Sequence, residues 1–251
     1  MRLRFLPLLL ITGMVSAQPR VIHVLVALCD NQYQGIVKVP TGIGNGQKPS
    51  TNLYWGCGYG VKTHFDRSAE WVRVVCPKSE TAHILDRAVW KHKDSAVYMI
   101  ADAYDGRNIR EATEDLLRYA SGASPMKITV DGKTLDAGGA ADLIAYVGHD
   151  GLMDFALEKE FPATDRRKRE TIILACISKR YFTPALQKTG ASPLLWTTGL
   201  MAPEAYTLKA ALNGWVAHET NEAIRERAAK AYDQYQKCGI TGARRLLVSG
   251  W

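Results

Sequence analysis

Val21-Ile-His-Val-Leu-Val-Ala-Leu28 is a nearly unbroken aliphatic run, the pattern of a strand buried on both faces. A Gly- and Pro-rich stretch from Asp30 to Ser50 follows and reads as a loop. Thr51 or Asn52 then offers a cap for a helix predicted to run to about Asp66, with Gly56 and Gly60 four apart on one face for close packing. Trp71 to Cys76 predicts a second strand. His83 to Trp90 and Ala96 to Ala101 predict a strand pair turning at Lys93-Asp94.

Asn108 opens an amphipathic pattern (Ile109, Ala112, Leu116, Leu117, Ala120) that stops at Gly122, the signature of a helix with a glycine C-cap. Ile128 to Leu135 alternates around Asp131-Gly132 and predicts a hairpin. Two further apolar strands follow, Ile144 to Val147 and Thr171 to Leu174. After them come a short helix from Ser178 to Lys188, a strand from Pro193 to Thr197, and helices from Pro203 to Asn213 and Glu219 to Gln236. Helices alternating with fully apolar strands predict an α/β fold, a three-layer sandwich with a largely parallel central sheet. No internal repeat, low-complexity segment or linker divides the chain, so residues 18–251 are expected to form a single domain.

The first 17 residues stand apart. Two arginines in Met1-Arg-Leu-Arg4, an apolar run from Phe5 to Val15 and the small residues Ser16-Ala17 predict a secretory signal peptide cut after Ala17. The expected destination is secreted or periplasmic. No later stretch approaches about 18 consecutive apolar residues, so no membrane insertion of the mature chain is expected. The formal charge of +7 includes Arg2 and Arg4; what remains is scattered, and without a nucleic-acid motif no nucleic-acid partner is expected. In an oxidising compartment five cysteines leave at least one free thiol. Two disulfides among Cys29, Cys57, Cys76 and Cys238 would leave Cys176, and several buried unpaired thiols are equally compatible with the count.

Ligands of parallel sheets bind beyond the carboxyl ends of the strands. There the chain places Asp30-Asn31, Asp102 to Asp105, His149-Asp150, Cys176 and Thr197-Thr198-Gly199. One strand ends in an imidazole and another in a thiol, the two groups that nucleophilic thiolate chemistry needs. The imidazole takes the thiol proton and later returns it to a leaving amine. Amides of residues 148–151 and of Cys176 are candidates for an oxyanion hole. Asp30 and Glu204 are candidates for a pocket that takes a basic residue, with Thr198 one strand away on the same edge.

An apolar strand ending in His and Gly, followed by one ending in Ala-Cys, resembles the caspase, legumain and gingipain class of cysteine peptidases. The likeness covers Ile144 to Gly151 and Thr171 to Cys176 closely, and the α/β order from Val21 to about Trp215 loosely. It implies a caspase-like fold with His149 as general acid and Cys176 as nucleophile, acting on a protein or peptide substrate without a cofactor. The family has Gly directly after its His, whereas here Asp150 intervenes, so the implied oxyanion amide belongs to Asp150 or Gly151. The likeness also suggests maturation cleavage in the charged run Ala163 to Glu170, an exposed tip by composition.

Other motifs are set aside. Gly42 to Lys48 is no phosphate loop, since Gln47 precedes the Lys and Pro49 blocks the helix start. No Gly-x-Ser-x-Gly elbow, Cys-x-x-Cys or paired His motif occurs, so neither a serine hydrolase nor a zinc site is expected. The alternative function is a non-catalytic exported protein that binds peptide or glycan in the same crevice. Asp150 and the aromatic-rich stretch from Tyr54 to Phe65 motivate it.

Overall fold

The computed structural model describes residues 18–251; the expected signal peptide lies outside the described residues. Ten strands and six helices follow in the order β1 (Arg20–Ala27), α1 (Val61–Asp66), β2 (Trp71–Val74), β3 (Ile84–His92), β4 (Val97–Tyr104), α2 (Ile109–Ala120), β5 (Pro125–Val130), β6 (Lys133–Gly138), β7 (Leu143–Val147), β8 (Glu170–Leu174), α3 (Ser178–Thr189), β9 (Ser192–Thr197), α4 (Ala205–Val216), α5 (Asn221–Gln236), α6 (Ile240–Leu246) and β10 (Leu247–Val248). Eight strands form one sheet in the order β10-β9-β8-β7-β1-β4-β3-β2, and β5-β6 is a separate hairpin. The inner strands β4, β1, β7, β8 and β9 run parallel, with antiparallel pairings at both ends. The fold is therefore α/β with a mostly parallel central sheet flanked by helices.

The near-continuous apolar strands follow from burial on both faces. Side chains alternate across a strand. From β1, Ile22, Val24 and Val26 pack with Val61, Phe65, Leu208 and Ile224 of α1, α4 and α5. Val21, Leu25 and Ala27 pack on the opposite face with Leu116, Leu117, Phe182 and Leu186 of α2 and α3. Each fully buried aliphatic side chain contributes roughly 1.5–3 kcal/mol. The largest side chains bring polar atoms, and these are paired: the indole N–H groups of Trp55, Trp90, Trp71 and Trp215 donate to Asp86, Asp66, Asn213 and Glu170.

Three local expectations are corrected. The helix expected from Thr51 or Asn52 to Asp66 forms only over Val61–Asp66. The Asn52 amide instead holds the end of β1, its Oδ1 accepting from the Cys29 N–H and its Nδ2 donating to the Cys29 carbonyl. Gly60 marks a tight turn, not a helix face, since a Cβ there would lie 2.5 Å from the Trp55 backbone. Second, β4 continues to Tyr104, so Asp102 is no strand-end residue but sits fully buried inside the sheet. Third, α6 and β10 close the sheet beside β9, where no regular pattern had predicted an element.

Among the described residues, no helix is long and apolar enough to cross a membrane. The five cysteines are free thiols. The charged run between β7 and β8 is exposed from residue 162 to 168. It is anchored at its end by Arg169, which donates to Asp165 and the Gly139 carbonyl.

Candidate functional site

In the parallel order β4-β1-β7-β8-β9 the chain moves to one side of β1 for β4 and to the other for β7, β8 and β9. The switch point is the β1–β7 boundary, where a crevice opens beyond the carboxyl ends. The β7–β8 register pairs Val147 with Leu174. His149 and Cys176 each lie two residues beyond that pair, past the carboxyl ends of neighbouring parallel strands. Both side chains line one cavity of about 250 Å³, closed by Ile36, Val37, Tyr54, Met153, Leu200 and Met201. A larger cleft of about 550 Å³ lies at the opposite, amino-terminal ends of β1 and β4. Its lining includes Lys91, Lys93 and Lys133 but neither Cys nor His.

Local backbone shape aims the thiol. Cys176 follows β8, and Ile177 adopts φ 51°, ψ 29°, a left-handed conformation that is a real outlier for a β-branched residue. The kink turns the chain from strand to α3 and is held by the Ile177 N–H donating to the Gly199 carbonyl at 2.8 Å. Cys176 therefore stands at the start of a helix, where the aligned peptide dipoles favour negative charge.

His149 is buried and fixed at its outer nitrogen. Its Nε2 lies 2.8 Å from Asp154 Oδ2. With the carboxylate accepting from Nε2–H, Nδ1 is left as the basic nitrogen. Asp154 also accepts from the Gly35 N–H at 2.9 Å, which ties the loop after β1 to the imidazole. Sequence reasoning missed Asp154. Its only sequence signal is a carboxylate five residues after His149, and it needs the 3-10 turn over Gly151–Met153 to fold back onto the ring.

The thiol is engaged elsewhere. Cys176 Sγ accepts from the Met201 N–H at 3.4 Å and lies 3.6 Å from the Met201 carbonyl. Burial pushes its pKa up, the Met201 amide opposes this, and Asp150 adds to it. At neutral pH the resting cysteine is a thiol.

The remaining expected residues are not brought into the cavity. Asp150 and Gly151 lie behind its wall: Asp150 is fully buried with Oδ1 accepting from the Leu152 N–H, and Gly151 sits against Thr113 and Phe155. Asp30 is buried in the loop after β1, accepting from Gln32, Tyr33 and Gln47. Gln47 also donates to Asp105, so the residue that spoils the phosphate-loop pattern is a structural bridge. Thr198 donates to the Arg245 carbonyl at the β10 edge. Glu204 precedes α4 and accepts from Tyr206 and Gln236. Neither Asp30 nor Glu204 is among the residues that line the cavity with Cys176.

Asp150 carries a measurable electrostatic load. Burial pushes its carboxyl up to about 7, the Leu152 N–H opposing and Asp154 adding to the effect, while Oδ2 has no partner. A pKa raised by folding means full stability below the ordinary carboxylate range and loss as pH rises through about 7. Asp150→Asn, which removes the ionisation, is expected to raise unfolding free energy at pH 8 by roughly 1–3 kcal/mol. The gain should fade towards pH 4. Urea midpoints of both proteins at the two pH values check it, and an equal gain at both would refute the ionic cause.

No family model, curated protein or solved structure matches the chain.

Proposed function

We propose that this chain is an exported cysteine peptidase of caspase-like fold that hydrolyses peptide bonds through Cys176 and His149. The observation that carries the reading is their convergence on one cavity, at the carboxyl ends of adjacent parallel strands next to the topological switch. As Sγ attacks the substrate carbonyl carbon, its proton passes to His149 Nδ1. The imidazolium then protonates the amine as the C–N bond breaks, and water drawn through the same nitrogen hydrolyses the thioester. The Cys176 amide, just before α3, is the leading oxyanion donor.

Asp154 is then a positioning residue that holds the imidazole tautomer. Gly35 protects that contact, because a Cβ there would lie 2.3 Å from Asp154 Oδ1. Gly35→Ala is expected to lower kcat about 10–100-fold with little change in unfolding midpoint, the usual effect of disturbing a supporting hydrogen bond. Asp154→Asn should lower kcat and also shift its acid limb, a change that a purely structural role would not produce.

A mixed peptide library digested by wild type and Cys176→Ala tests the reading. Cut sites that disappear in the variant support it; sites made equally by both overturn it. The engagement of Sγ by Met201 favours a second reading, a peptide- or glycan-binding protein without turnover. That reading predicts binding that persists in Cys176→Ala and no cuts by either protein.

A further inference from the structure

We infer that the substrate group entering the cavity beside Cys176 is a single apolar, uncharged side chain, an inference that rests on Cys176 being the nucleophile. Three separate segments supply the walls: Ile36 and Val37 after β1, Met153 after β7, and Leu200 and Met201 after β9. Several are exposed, with Val37 91%, Leu200 71% and Met153 39% accessible. Single exposed apolar residues are ordinary, but their convergence from distant segments around one reactive thiol marks a binding surface. Two methionines suit the walls to irregular apolar shapes.

Charge excludes the alternatives. The carboxylate nearest the imidazole, Asp154, is already used by His149 and Gly35, while Asp30 and Glu204 are satisfied elsewhere. No Asp or Glu is among the lining residues, so a Lys or Arg side chain entering here would lose water without meeting a counter-charge on the walls. An acidic side chain would find no Arg or Lys among the lining residues. At about 250 Å³ the space is smaller than the roughly 300–1,000 Å³ of sites for drug-sized molecules, so it takes one side chain of Leu or Phe size.

The test uses blocked dipeptidyl acyloxymethyl ketones that differ only in the residue next to the ketone: Leu, Phe, Lys, Arg or Asp. Labelling of Cys176 in the mature chain is followed by mass spectrometry, with iodoacetamide as a thiol probe that carries no side chain. The Leu or Phe reagent is expected to label Cys176 at least about 10-fold faster than the Lys, Arg and Asp reagents. Equal or faster labelling by a charged reagent overturns the inference while leaving the nucleophile intact. If Cys176 reacts with iodoacetamide but with none of the ketones, the nucleophile reading falls and the inference with it. Leu200→Glu, on the exposed rim, should cut the Leu-to-Lys rate ratio at least about 10-fold, and an unchanged ratio in that variant also overturns the inference.

Discussion

Cys176→Ala is expected to lower peptide-bond hydrolysis by at least about 1,000-fold while leaving the unfolding midpoint within about 1 kcal/mol of wild type. The size follows from the proposed role of Cys176 as the attacking group: loss of a nucleophile in a coupled unit costs several orders of magnitude in kcat, and the residual rate reflects binding and oxyanion stabilisation alone. His149→Ala should cost a comparable factor. The double variant should be little worse than either single, because both act in the same step. The half-buried Cys176 side chain and its weak sulfur hydrogen bonds explain the small stability effect. Kinetics of the three variants on one peptide, with urea unfolding of each, check both halves. Additive losses would show that the imidazole and the thiol do not work together.

Asp102→Ala is expected to destabilise the fold by about 3–5 kcal/mol, the largest single loss of stability anticipated for this chain. Asp102 is fully buried in β4 and receives a two-pronged hydrogen bond from Arg87, Nε to Oδ1 at 2.6 Å and NH2 to Oδ2 at 2.7 Å. His23 Nε2 adds a third contact at 3.1 Å, while its Nδ1 accepts the Gly138 N–H and its ring stacks on Tyr119. The network thus joins β3, β4, β1 and the β5–β6 hairpin. Truncation leaves a buried guanidinium without its counter-charge. The double change Arg87→Met with Asp102→Leu, which removes both charges, should recover most of the loss.

The pH dependence has a definite sign. Burial would raise the Asp102 pKa, but the hydrogen bonds from Arg87 and His23 outweigh it and hold it below the ordinary carboxylate range. The contribution is therefore present above about pH 4 and is lost as the pH falls through the lower folded value. The stability gap between wild type and Asp102→Ala should narrow in acid. A gap that widened would invalidate the ionic account.

Much of the fold was legible because burial on both faces leaves a direct trace in composition. Val21 to Leu28 and Thr171 to Leu174 carry the β-branched and aliphatic run of strands buried on both faces, and Asp131-Gly132 has both φ values positive, as the hairpin turn requires. The helix expected from Asn52 failed because the same side chain that caps a helix also binds backbone elsewhere. The Cys29 backbone, distant in sequence, claimed it. Asp102 was misplaced for a similar reason: a carboxylate normally ends an apolar strand, and its partners Arg87 and His23 lie on other strands.

By itself the sequence determined the alternation of elements, the sheet's largely parallel character, and the two strand ends that carry His149 and Cys176. These depend on local periodicity and on which residues tolerate complete burial. Tertiary structure alone decided that Asp154 and Gly35 hold the imidazole, that Asp150 lies behind the cavity wall, and that Asp30 and Glu204 are spent on other contacts. Those outcomes rest on hydrogen bonds whose partners are chosen by strand order and loop closure. Side-chain type states what a residue can bind, and only the fold determines which partner comes within reach.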